Sequence, residues 1–137
     1  MREILFRGKR VDNGGWVFGD LLSNSDNEGC GGFSHVILAN NLYHGVIPET
    51  ISQFTGKRDF YKFRIFEGDI VQAKKKFYST DIAVVKWLID RCAFFYVANT
   101  VGADIVNREP FQSAYKINSL SVEIIGNIYD NPELAHS

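Results

Sequence analysis

The sequence predicts a mainly β protein, a small barrel or sandwich of short antiparallel strands with little helix. Three observations carry that reading. Apolar runs are short and rich in branched and aromatic residues, turn-forming residues punctuate them, and no window shows a clean helical stripe. A chain of 137 residues predicts one domain over residues 1–137, long enough to bury a core without metal or disulfide support.

The elements follow in chain order. Ile4-Leu5-Phe6 places a strand in residues 2–7, closed by Gly8 and Lys9-Arg10. Trp16 to Leu22 forms its partner across Asp12-Asn13-Gly14-Gly15. Asn-Gly predicts a type I′ hairpin turn, with positive φ at both central residues. Residues 23–32 are small and polar and read as a surface loop. Ser34 to Leu38 is a strand that leaves through Asn40-Asn41. Val46-Ile47 is extended because Pro48 pushes its predecessor away from helical geometry, and Pro48 itself does not fit a central ladder.

Glu67-Gly68-Asp69 turns into a strand at Ile70 to Ala73, with Gly68 expected at positive φ. Ile82 to Ile89 and Cys92 to Val97 flank Asp90-Arg91 as a compact hairpin. Their nearly continuous apolar character predicts burial on both faces. Trp16 and Trp87 lie in the strongest strand signals and are expected to be largely buried. Val122 to Tyr129 is the last strand, with Gly126 placed as a bulge. Asn131-Pro132-Glu133 then starts a single helical turn. The best remaining helical window, Glu109 to Asn118, lacks an apolar stripe.

Charge and cysteine content narrow the class. Fifteen Lys+Arg against sixteen Asp+Glu give a net charge of −1, and residues 1–76 hold eleven basic and nine acidic groups. That is not the basic footprint of a dedicated duplex-binding domain. Cys30 and Cys92 form neither a dense disulfide framework nor a C-x-x-C pair. No apolar run approaches the ~18 residues that span a bilayer, and the first residues lack a secretory apolar region. The expected compartment is therefore the cytoplasm, without a membrane partner.

Chemistry-bearing clusters each have a plainer alternative. Glu67 and Asp69, two apart, could hold a divalent cation or divide acid and base roles in a hydrolase. Gly-Asp before an apolar strand is also ordinary turn chemistry, and that reading prevails. Cys30, His35 and His44 would need Cys92 to complete a zinc set, and a Cys–His nucleophile would lack an orienting third group. Buried or structural roles prevail here too. Lys74-Lys75-Lys76-Phe77-Tyr78 puts a basic run beside two rings, a pattern suited to single-stranded nucleic acid. Its plainer reading is a strand end kept soluble by lysines. No phosphate-cradling glycine loop or Gly-x-Ser-x-Gly elbow occurs, so no cofactor and no catalytic residue is expected.

Four stretches together resemble the YopX family of phage and prophage proteins. They are Arg2 to Arg10 running on through Gly15 to Leu21, Val46 to Gly56, Phe66 to Val71 followed by Val84-Val85-Lys86-Trp87, and Ile124 to Leu134. The departure is at Lys57 to Arg64. There the family commonly has an aspartate followed by Lys-Asn-Gly, whereas Asp59 leads into Phe60-Tyr61-Lys62-Phe63. The resemblance implies a mainly β, phage-encoded protein and brings no catalytic residues. Its motif residues look architectural, among them Gly14, Trp16, Gly68, Trp87, Gly126 and Pro132.

The expected function is a non-catalytic accessory protein that contacts a phage or host protein, or a second copy of itself. Two Trp, six Tyr and eleven Phe exceed what a core of this size needs, which leaves rings for a contact surface. The alternative is a single-stranded nucleic-acid-binding protein using Lys74, Lys75 and Lys76.

Overall fold

Short apolar segments separated by glycine and asparagine turns have no helical way to satisfy their backbone, so they pair as antiparallel ladders. The computed structural model describes residues 2–23, 32–73, 82–98, 114–116 and 122–136. Eleven strands occur among them: β1 Phe6–Lys9, β2 Trp16–Ser23, β3 His35–Ala39, β4 Leu42–Gly45, β5 Ser52–Arg58, β6 Arg64–Phe66, β7 Asp69–Ala73, β8 Ile82–Leu88, β9 Ala93–Ala98, β10 Ala114–Lys116 and β11 Val122–Asn127. Single 3-10 turns cover Pro48–Thr50 and Pro132–His136. The fold is mainly β, in two antiparallel sheets ordered β4-β3-β2-β1-β5-β6 and β10-β9-β8-β7-β11. Neither sheet closes into a barrel among the described residues.

The chain divides into two compact units, residues 1–54 and 55–137. In the first, β1 pairs with β2 from Phe6↔Gly19 to Lys9↔Trp16, and with the start of β5 at Ser52 and Gln53. The first strand is thus later than residues 2–7, and Ile4 is exposed. Its hairpin is also not type I′. Gly14 takes positive φ and Asn13 does not, because a four-residue loop is closed by Arg10 N–H to Gly15 O and Gly14 N–H to Arg10 O. The primed turn comes one hairpin later, where Asn40 and Asn41 both have positive φ between β3 and β4. Val36, Ile37 and Val46 are buried. Thr50 Oγ1 accepts the Lys9 N–H at 2.9 Å and donates to Ile47 O, which ties the Pro48–Thr50 turn to β1.

In the second unit, Ile65, Val71, Ala83, Val85, Tyr96 and Val122 form the core, with Ile124 packed against it. The register Val71↔Ala83 and Val85↔Tyr96 puts Val71, Ala83, Val85 and Tyr96 on one sheet face. Ile70, Val84 and Phe95 on the other face are buried as well, so the continuous apolar pattern of β8 reflects burial on both faces.

Trp87 departs from expectation. It is 45% exposed rather than buried. It shares parity with Ala83 and Val85, but it lies where β8 runs past the core into the Ile89–Cys92 turn, and it covers Phe94 edge-to-face at 5.0 Å. Trp16 is half-buried, with the guanidinium of Arg7 4.6 Å from its ring centroid.

Gly126 sits at a register shift between Ile124 and Gly126, and Asn131 crowds the place a Cβ would take. Asn131 also accepts the Asn127 N–H and precedes the Pro132 turn, so bulge and turn are one construction. Gly68 has φ +86°, and a Cβ there would lie 3.1 Å from the Tyr129 ring. Gly14, at φ +71°, has nothing within 4 Å. Gly14→Ala is therefore expected to cost about 1 kcal/mol through backbone strain alone. Gly68→Ala should cost about 2 kcal/mol or more, because Tyr129 must also move. Urea midpoints of the two variants check the order, and equal losses would mean that the Tyr129 contact carries no weight.

Candidate functional site

Residues 57–64 read Lys-Arg-Asp-Phe-Tyr-Lys-Phe-Arg, and they connect β5 to β6 in the second unit. All but Asp59 are exposed, and Asp59 is 3% exposed. The reason is the carboxylate. Oδ1 accepts the N–H groups of Tyr61 and Phe63, each at 2.9 Å, and Oδ2 accepts the Ile124 N–H at 3.2 Å. The Asp59 N–H donates to Phe63 O, and the Lys62 N–H donates to Asp59 O. One buried side chain thus supplies the acceptors that a tight turn leaves unmade.

The same residues finish a sheet edge. β11 is the outer strand of its sheet, and Phe60 N–H donates to Val122 O at 2.8 Å while Ile124 N–H reaches Asp59. The turn occupies edge groups that would otherwise invite another strand. With its backbone fixed, the turn turns its rings outward. Phe60, Tyr61 and Phe63 are 55%, 52% and 66% exposed, and Phe60 and Tyr61 meet edge-to-face at 5.2 Å. Lys57, Arg58, Lys62 and Arg64 surround them in sequence, and an Arg58 guanidinium N–H donates to Lys62 O. Lys62 holds the left-handed φ of 73°.

A second surface lies in the first unit. β2 puts Phe18, Asp20 and Leu22 on one face, and the register carries that face through Leu38 to Tyr43. Phe18, Leu22 and Tyr43 are all exposed there.

The other sequence candidates resolve differently. Asp69 is buried and its Oδ2 accepts the Phe66 N–H at 2.7 Å, so the Glu67-Gly68-Asp69 carboxylate closes a turn. Gly68 N–H donates to Val85 O in the same place. His35 bonds Ser34 through Nδ1, and His44 lies opposite Ile37. Cys92 is an exposed free thiol at positive φ in the β8–β9 turn of the second unit. No group of three or more His, Cys, Asp and Glu with metal-holding geometry occurs among the described residues. Cys30 and the stretch Lys74, Lys75, Lys76, Phe77 and Tyr78 lie outside the described residues. So do residues 24–31 of the polar loop.

Sequence reasoning marked Lys57–Arg64 only as a departure from a family pattern. The alternation of rings and cations was a readable signal there. The role of Asp59 was not, since its partner Ile124 is 65 positions away.

Two open antiparallel sheets, with ordered rings on a turn and on a sheet face, define a mainly β protein that presents preformed aromatic surface. A family model described as YopX protein matches residues 5–136, and the chain belongs to the YopX family. The chain is also similar to the crystal structure of protein EF1440 from Enterococcus faecalis, at 18% identity and a TM-score of 0.52, over 98% of this chain and 99% of that one. That likeness shows the fold. No curated protein matches the chain. No helix among the described residues is long and apolar enough to cross a membrane.

Two outcomes test the turn. Asp59→Ala leaves three N–H groups short of their acceptor and should cost ~3 kcal/mol, with faster hydrogen exchange at Tyr61, Phe63 and Ile124. Unchanged exchange at those amides would remove Asp59 as the organiser.

Burial first, then the Asp59 carboxylate, pushes the Tyr96 phenol from 10.0 up to about 12. The folded chain therefore keeps a proton that the unfolded chain releases. The stability this contributes is full below pH 10 and is lost as pH rises through about 12. In denaturation between those limits, Tyr96→Phe should lose stability less steeply than the parent. Parallel curves would exclude Tyr96 as the titrating group.

Proposed function

We propose that this YopX-family chain is a non-catalytic accessory protein, encoded by a phage or prophage and working in the host cytoplasm, that acts as a protein-interaction module. The observation that carries the reading is the sheet face of the first unit on which Phe18, Leu22 and Tyr43 are exposed on rigid paired strands. Rings held by a ladder lose little conformational entropy on contact, which favours them as anchors in a buried interface. The partner is a phage or host protein, or a second copy of the chain. The non-catalytic reading is supported by the engagement of the Asp69 carboxylate in its own turn.

The double variant Phe18→Ser/Tyr43→Ser tests it. Sedimentation velocity reads self-association, and cross-linked capture from lysogenic cells reads a different partner. Truncating two anchors should weaken whichever complex forms by about tenfold or more, with the melting temperature within a few degrees of the parent. Complexes of equal strength in parent and variant would place the contact elsewhere.

A further inference from the structure

We infer that the 57–64 turn of the second unit is a binding site for single-stranded nucleic acid. The inference goes beyond the protein contact proposed above and uses a different unit, so either can fail alone.

Three properties of the turn converge on that ligand. It carries three of the most exposed rings among the described residues within four positions, Phe60, Tyr61 and Phe63. It concentrates four of the fifteen basic residues, Lys57, Arg58, Lys62 and Arg64, in eight positions. Its one acidic residue, Asp59, is buried and spends its carboxylate on backbone N–H groups, so it does not oppose an incoming anion at the surface. A chain with net charge −1 overall thus places four basic residues beside one buried carboxylate within residues 57–64.

Single strands need this combination. Unpaired bases stack on rings whatever their identity, and the phosphates between them seek cations a short step away. A duplex would offer the rings nothing, since its bases are already stacked. An acidic protein segment would satisfy the cations, but lysine is depleted from protein interfaces while this turn holds two. The rings are also pre-positioned. Asp59 fixes the backbone of Tyr61 and Phe63, and the Phe60 N–H is fixed to β11, so little ordering remains to be done on binding. The Lys74-Lys75-Lys76-Phe77-Tyr78 stretch repeats the composition ten positions on, but the turn stands without it.

The test uses the full chain and a fluorescein-labelled twelve-residue oligothymidylate, read by anisotropy from about 50 to 300 mM salt. Two to four phosphate contacts predict a log–log salt slope of roughly −1.4 to −2.8. Lys57→Gln/Arg64→Gln should weaken binding and make the slope shallower by about 1.4. Phe60→Ala/Phe63→Ala should weaken binding by about tenfold or more and leave the slope unchanged. That split between slope and affinity is the signature of stacking beside phosphate contact, and variants with parent-like melting temperatures give it without a folding artefact. Three results would overturn the proposal: no binding at 50 mM salt; binding that neither pair of substitutions alters, which puts the site elsewhere; or a duplex of the same length, or polyglutamate, binding as tightly and with no dependence on the rings.

Discussion

The carboxylate of Asp59 is the interaction on which the second unit turns. It accepts from Tyr61 and Phe63 within its own turn and from Ile124 on β11, far away in sequence. A buried anion is costly unless its lone pairs are filled, and here three backbone donors fill them. The same bonds do three jobs: they set the turn, cover the outer edge of a five-stranded sheet, and place an anion whose field reaches Tyr96 in the core. Loss of this one side chain would loosen surface and core together.

Around that point the molecule uses turns as its working parts. In the first unit the Asn40-Asn41 turn fixes the β3–β4 register, which sets Tyr43 opposite Leu38, and the β2–β3 register puts both on the face of Phe18 and Leu22. In the second, Gly68 allows the left-handed step into β7, Asp69 closes it, and the Gly126 bulge receives Asn131. Each device settles a register, and a register error of one residue would move every ring to the opposite face. Rings at both surfaces therefore owe their position to backbone chemistry at turns rather than to their own packing.

A chain that exposes this many rings without unfolding needs such a scaffold. Large apolar groups left in water add nothing to folding stability and invite association, so they persist where the backbone beneath them is held independently. The buried residues Ile65, Val71, Val85 and Val122 supply the burial, and Phe60, Tyr61 and Phe63 are left for contact.

Much of the fold was legible in the residues themselves. Short branched and aromatic runs between turn formers determine a mainly β chain, the apolar run at Ile82–Ile89 determines a strand whose Ala83, Val84 and Val85 are buried on both faces, and Gly68, Gly126 and Pro132 mark their turns because few other residues fit. Membership of the YopX family was legible in four ordered motifs. The tertiary structure alone decided the rest. β4, β5 and β6 are too short or too polar to announce themselves and exist because neighbours pair with them. Trp87 reads as core by composition and parity, yet it lies where the sheet outruns its cover. Asp59 reads as one more turn aspartate. Its weight comes from Ile124 and Tyr96, which only folding brings to it, because burial and long-range hydrogen bonds belong to the packed chain and leave no local mark in sequence.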